Sequence, residues 1–293
     1  MVMSYQLLAL SAAIIFALII LLVKYITKYV VKDFNSFFFW TYVSVIPFVL
    51  FIPMRYGLDF SVDMILPIII SSILLTAGQY LFSRGVFLVD ASVISPLFQL
   101  QSGFILIFAT IFLGERYQLL TYSFLLLMML GTLFVSVTNK TKLKGFMQKG
   151  VLFIIGMQVF HAGANVAVGF ALRHTSIWQI LFYSFIFNSI ITSSYILLKK
   201  ASITWELSKI KWMFLRAILL LSANTLLYKA FETNVSVSAA IGLLSSPLVF
   251  VISVTLGLLL PKFLEKQSLK IYAIRTIGML MILYGAWNIM KLS

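Results

Sequence analysis

Helical spacing in this chain gathers neutral polar side chains into stripes within otherwise apolar segments. Gln158, His161 and Asn165 follow one another at intervals of three and four residues, which puts all three on one face of a helix. Shorter stripes are formed by Gln99 with Ser95 and Ser102, by Gln79 and Tyr80 with Thr76, by Asn188 with Ser184, and by Asn224 with Tyr228. Groups of this kind hold a solute or one another by hydrogen bonds; alone they do not break covalent bonds. His161 has three uses: packing against Asn165 or Gln99, contact with a solute, or carriage of a proton, since an imidazole titrates near physiological pH. The sequence offers no paired carboxylates, no metal-ligand cluster and no Ser–His–Asp set at useful spacing, and it has no cysteine. All eight acidic residues fall at or beside the ends of apolar runs, so no carboxylate is expected at mid-membrane. That disfavours proton-coupled export of lipophilic cations, which relies on an intramembrane acid. No cofactor and no enzymatic activity are expected.

The stripes need long apolar elements to carry them. Of 293 residues 62% are hydrophobic and only 10% charged, far from the composition of a soluble domain. A bilayer crossing takes about 20 apolar residues. Charge-free runs cover Met1–Val23, Phe34–Met54, Met64–Ser83, Ala91–Gly114, Tyr117–Asn139, Gly150–Leu172, Thr175–Leu198 and Thr233–Pro261. Two further runs, Trp212–Tyr228 and Ile271–Met290, contain one arginine each, Arg216 and Arg275, near enough to the start of the run to snorkel to the interface. The expected fold is an all-α integral membrane protein of ten transmembrane helices. Continuous apolar runs exclude a β-barrel, whose strands alternate. The first run lacks a basic leader and is too long for a signal peptide, so it reads as a crossing.

A basic connector, residues 140–149 with Lys140, Lys142, Lys144 and Lys149, divides the chain into 1–139 and 150–293, five crossings each. The halves resemble one another: Ala77-Gly-Gln-Tyr80 parallels Ala223-Asn-Thr-Leu226, Ala91-Ser-Val-Ile-Ser-Pro96 parallels the stretch from Ser238 to Pro247, and the last helices carry Gly131 and Gly285. An odd number of crossings repeated once gives inverted repeats, an architecture of transporters. Pro96 and Pro247 would break matched helices and free backbone carbonyls for binding.

The order of small residues, a Ser/Pro-containing helix, Gly114-Glu115-Arg116 and a glycine-bearing last helix resembles the drug/metabolite transporter superfamily, in particular its ten-helix EamA-type members. The second copy has Leu260-Pro261-Lys262 where the first has Gly-Glu-Arg, which makes that turn structural. The resemblance implies a secondary active transporter that moves a small metabolite, an amino acid or related polar organic solute, by alternating access, with export one of its directions. The implied partners are the solute, membrane lipids and a coupling proton or ion; no nucleic acid is implied, and the location is the cell membrane. The candidate substrate-binding residues are Gln79, Tyr80, Gln99, Gln158, His161, Asn165, Asn188, Asn224 and Tyr228. The alternative is an integral membrane enzyme or a lipid-modifying or lipid-flipping protein that uses the His161 stripe. A nucleotide-binding loop is lacking, so ATP is not the direct energy source.

The polar stripes predict a cavity lined by the third, fourth, sixth, seventh, eighth and ninth helices, with the fifth and tenth outside it. The aromatic runs Phe37–Tyr42 and Phe182–Phe187 read mainly as lipid or interface contacts, with a few rings available to wall a site for an aromatic or quaternary ammonium solute. Assigned to the nearest connector or terminus, Lys and Arg divide 17 to the odd connectors against 5 elsewhere. The positive-inside rule then puts both termini outside, whereas the family resemblance implies cytoplasmic termini.

Overall fold

The computed structural model describes residues 4–88, 97–98, 100–116, 118–135, 149–245, 247–249, 251–252 and 269–292. Gln99, Ser95, Pro96 and all but Lys149 of the basic connector lie outside the described residues.

Six helices among the described residues are long and apolar enough to cross a membrane. They are α1 (Tyr5–Val30), α2 (Phe34–Tyr56), α3 (Val62–Val86), α6 (Lys149–Ala171), α7 (Ile177–Leu198) and α8 (Leu207–Phe231). Helices with shorter apolar stretches complete the set: α4 (Leu100–Leu113), α5 (Leu119–Val135), α9 (Val235–Gly242, in an apolar stretch to Val249) and α10 (Leu269–Leu292, apolar over Ala273–Ile289). Helix starts are marked by side-chain caps, with Ser4, Asp33, Ser61 and Asn234 each accepting a backbone N–H from the first turn. α2 is broken into Phe34–Val43, Ile46–Val49 and Phe51–Tyr56. The first two pieces end four residues before Pro47 and Pro53, where the proline ring clashes with a carbonyl and supplies no N–H. Isolated hydroxyls fold back on their own helices: Thr41 Oγ1 donates to the Phe37 carbonyl at 2.8 Å and Ser72 Oγ to that of Ile68 at 2.8 Å. Such groups are satisfied inside lipid without any partner helix.

Small residues turn inward and large ones outward. On α1, Ala9, Ala12, Ala13 and Ala17 are buried while Leu7, Ile14 and Leu18 are exposed, the pattern of helices that pack closely in a bilayer. The most extensive packing joins α3 to α6, α5 to α10 and α1 to α8; α4 leans on α6, α9 on α1, and α7 lies against both α2 and α3.

Two sets of hydrogen bonds tie loops across the α2–α7 pair. After α7, Thr204 gives its N–H to Ser36 Oγ at 2.7 Å and accepts Trp40 Nε1 on its carbonyl at 2.9 Å. After α2, Asp59 accepts Gln179 Nε2 at 2.8 Å on its carboxylate and Tyr183 Oη at 3.1 Å on its carbonyl. The loop at the end of each helix is therefore fastened to the start of the other, so α2 and α7 run antiparallel with one fastening at each end. Glu115, just beyond α4, reaches the first turn of α9, where its carboxylate accepts the Val235 N–H at 3.1 Å and the Ser236 hydroxyl. An acid there caps free N–H groups and meets the positive end of the helix dipole.

Candidate functional site

The helices enclose a cavity of about 200 Å³, far above the roughly 10–15 Å³ that a single water needs. Its wall takes side chains from α1 to α4 and α6 to α9, with none from α5 or α10. α1 and α2 were not anticipated as wall; they contribute Phe16, Ile19, Ile20 and Val23, and Thr41 and Tyr42.

Six of the nine residues singled out in the sequence come together here: Gln79, His161, Asn165, Asn188, Asn224 and Tyr228. Gln79 is oriented through Nε2, which donates to Ser83 Oγ at 3.2 Å, and Asn188 Oδ1 accepts Thr76 Oγ1 at 3.1 Å. The Leu75 carbonyl accepts Tyr42 Oη at 3.1 Å and the ring of His161, whose Nε2 is then buried with no partner. Gly78 makes the position of that ring possible, because a β-carbon there would lie 2.3 Å from His161 Cδ2. Ser184 Oγ in the same wall is also unpartnered.

Tyr80 and Gln158 sit elsewhere. Tyr80 points away from the wall into an aromatic group with Phe34, Phe38 and Tyr195, and its hydroxyl accepts Arg84 Nη2 at 3.3 Å. Gln158 is fully buried, touching Met157 Sδ through Nε2 at 3.5 Å and leaving Oε1 without a partner. On α4 the lining polar residue is Gln101, one position from the expected Ser102. Among the described residues no carboxylate lines the cavity, and no three His, Asp or Glu side chains converge to hold a metal ion. The arrangement can bind a small solute through amide, hydroxyl and imidazole groups set in an apolar wall.

The segment from α1 to the end of α5, residues 3–137, matches the model of the EamA-like transporter family. The likeness to that family is carried by this first half of the chain. The family is one of membrane transporters, and the chain is an integral, multi-pass membrane protein. One solved structure, described only as "Crystal structure of protein", superposes on this EamA-like chain with a TM-score of 0.68 at 14% identity, over 97% of this chain and 99% of the other. Identity that low speaks for a shared fold alone. A comparison with curated proteins gave no match.

Arg216 is the wall residue of this EamA-like protein that sequence reasoning misplaced. α8 begins at Leu207, five residues before the run read from Trp212, so Arg216 lies nine residues inside the helix, about 13 Å from its start. It does not snorkel: it is 4% exposed and lines the cavity, with Nη1 donating to the Thr41 carbonyl at 3.2 Å. The missed signal was the apolar period running back through Ile210 and Leu207, beneath the interfacial Lys209 and Lys211.

Proposed function

We propose that the protein is a secondary transporter of ten crossings, built as two inverted five-helix repeats over 1–139 and 150–293, which moves a small organic solute through the central cavity by alternating access. The observation that carries the reading is the cavity itself: Gln79, His161, Asn165, Asn188, Asn224 and Tyr228 reach it from α3, α6, α7 and α8, members of both halves. These six and Gln101 are the proposed binding residues, with Gln99 kept as a candidate from its sequence alone.

Reciprocity of the packing supports the repeat. Exchange of each helix with the one five places on turns the α3–α6 contact into α8–α1 and the α4–α6 contact into α9–α1, and returns α5–α10 and α2–α7 to themselves. The loop fastenings exchange in the same way: Ser36 and Trp40 correspond to Gln179 and Tyr183, and Thr204 to Asp59. Halves of equal construction can trade places energetically, so that opening one end while closing the other costs little. Release of one fastening with retention of the other is the movement this implies, driven by a proton or ion gradient in the cell membrane.

Counterflow in proteoliposomes is the test. A labelled solute should accumulate against unlabelled solute on the far side and be recovered chemically unchanged. Recovery of a modified product would favour a membrane enzyme instead, and absence of exchange across a panel of amino acids and organic acids would overturn the reading.

A further inference from the structure

Arg216 is a cation in the cavity wall for which the described residues supply no anion. All the described acids lie at or beyond helix ends: Asp33 caps α2, Asp59 bonds Gln179, Asp63 is in the first turn of α3, Glu115 caps α9, and Glu206 and Glu232 pair with Lys209 and Lys229. The guanidinium makes one hydrogen bond, to the Thr41 carbonyl, while its Nε is buried with no partner; Phe37 lies 6.0 Å from Cζ and Tyr42 is close by. An arginine does not discharge by losing its proton. A charge so deep in a low-dielectric interior is retained only where something compensates it. An unpartnered Nε–H beside an Nη is one edge of the fork that takes both oxygens of a carboxylate.

We propose that the solute is an amphipathic monocarboxylate and that Arg216 holds its carboxylate. This rests on the transport reading and narrows it to a substrate class. A single cation lines the described wall, which sets the charge at one. Phe16, Ile19, Phe82, Phe98, Leu220 and Leu243 line the same space and give the apolar body a dry surface. A cationic amine would meet the guanidinium with no wall carboxylate to offset the repulsion, and a neutral solute would leave it uncompensated.

The test uses the full chain in nanodiscs of zwitterionic lipid, which hold no anionic headgroup to compete. 3-Phenylpropionate and octanoate are the probes, the first partitioning from water and the second also from the bilayer, and each is compared with its primary amide and its amine. At millimolar concentration the carboxylates should raise the melting temperature and the amides and amines should not. Arg216→Gln should lower carboxylate affinity at least tenfold, and Arg216→Lys, which keeps the charge and loses the fork, should lie between. Should Arg216→Gln fail to remain monodisperse, the Arg216→Lys titration and the amide comparison decide alone. Stabilisation by amides as strong as by carboxylates, or by neither carboxylate, overturns the proposal. Counterflow is measured on the same preparations: exchange of a neutral or cationic solute unaffected by Arg216→Lys would sink the carboxylate and leave transport standing. Carboxylate binding through Arg216 without exchange would do the reverse.

Discussion

The α5–α10 contact is built on two glycines whose replacement should damage the fold without touching the site. A β-carbon at Gly131 would lie 2.6 Å from the Gly278 carbonyl oxygen, 2.9 Å from Ile282 Cγ1 and 3.0 Å from Met281 Cβ. At Gly285 it would lie 2.6 Å from Met128 Cγ and 2.9 Å from the Phe124 carbonyl oxygen. Ordinary contacts begin near 3.5 Å, so Gly131→Ala requires the two backbones to separate by roughly 0.9 Å. Overpacking of this kind costs about 1–3 kcal/mol, and Gly131→Leu more. Gly285→Ala should be milder, because its nearest backbone atom, the Phe124 carbonyl oxygen, is at 2.9 Å against 2.6 Å for Gly131, and its closest contact is to a side chain. Gly156→Ala is the comparator, since only the terminal Leu81 Cδ1, at 3.0 Å, meets the new methyl. Melting of detergent-solubilised protein, read with its monodispersity, should rank the variants Gly156→Ala, Gly285→Ala, Gly131→Ala, Gly131→Leu in falling stability. Neither helix lines the cavity, so solute affinity of the surviving folded fraction should be unchanged. A Gly131→Ala protein as stable as the parent, or no more damaged than Gly156→Ala, would refute the close backbone approach.

Four further outcomes follow from the geometry. His161→Ala should cut exchange at least tenfold while the protein stays monodisperse, whereas Tyr80→Phe, which alters only the aromatic group near Arg84, should leave exchange intact; normal transport by the His161 variant would reduce its stripe to packing. Glu115→Ala removes one of the two acceptors at the start of α9, Asn234 being the other, and should cost about 0.5–2 kcal/mol, lowering both stability and transport because the segment starting at α9 carries Ala239, Gly242 and Ser245 into the wall; unchanged melting would mean the Glu115 contact is idle. The native chain has no cysteine, so a single cysteine at Asn165 reports access by impermeant thiol reagents: Ser36→Ala and Gln179→Ala should raise labelling from opposite sides, and labelling from one side for both would contradict fastenings at opposite ends. A reporter after Ser293 should read extracytoplasmic under the charge bias, which stands at 15 to 5 once the buried Arg216 and Arg275 are set aside; a cytoplasmic signal would mean that family architecture governs insertion.

What was legible in the sequence, and what was not, divides along physical lines. Polar residues in apolar runs were readable as cavity lining because large polar groups in a bilayer are found against protein or water; Gln79, His161, Asn165, Asn188, Asn224 and Tyr228 share one wall. The same rule cannot say which side of protein they face, so Gln158, equally polar and on the same helix as His161, lies against Met157 behind the wall. Tyr80 misled because a tyrosine is satisfied by rings and an arginine as readily as by a solute. The breaks in α2 were written in Pro47 and Pro53, and the role of Glu115 needed a contact across 120 residues that no local pattern encodes.

Arg216 shows why charge-free runs delimit crossings poorly. Such counting ended the run at Lys209 and Lys211 and so set Arg216 near the start of the crossing, whereas the helix continues past both lysines and carries the arginine into the bundle. Truncating α8 at Trp212 moved the one cation of the described wall out to the interface and left a site that looked wholly neutral, and hence a solute without a definite charge. Extending the helix to Leu207 returns that cation to the wall without altering the fold, and the carboxylate proposal rests on it because no described wall residue offsets it. In a cavity this apolar an uncompensated charge costs more than an unpaired amide, since leaving a charge without a partner carries a larger desolvation penalty than leaving a neutral polar group without one. The proposed solute class therefore turns on the register of one helix relative to its two interfacial lysines.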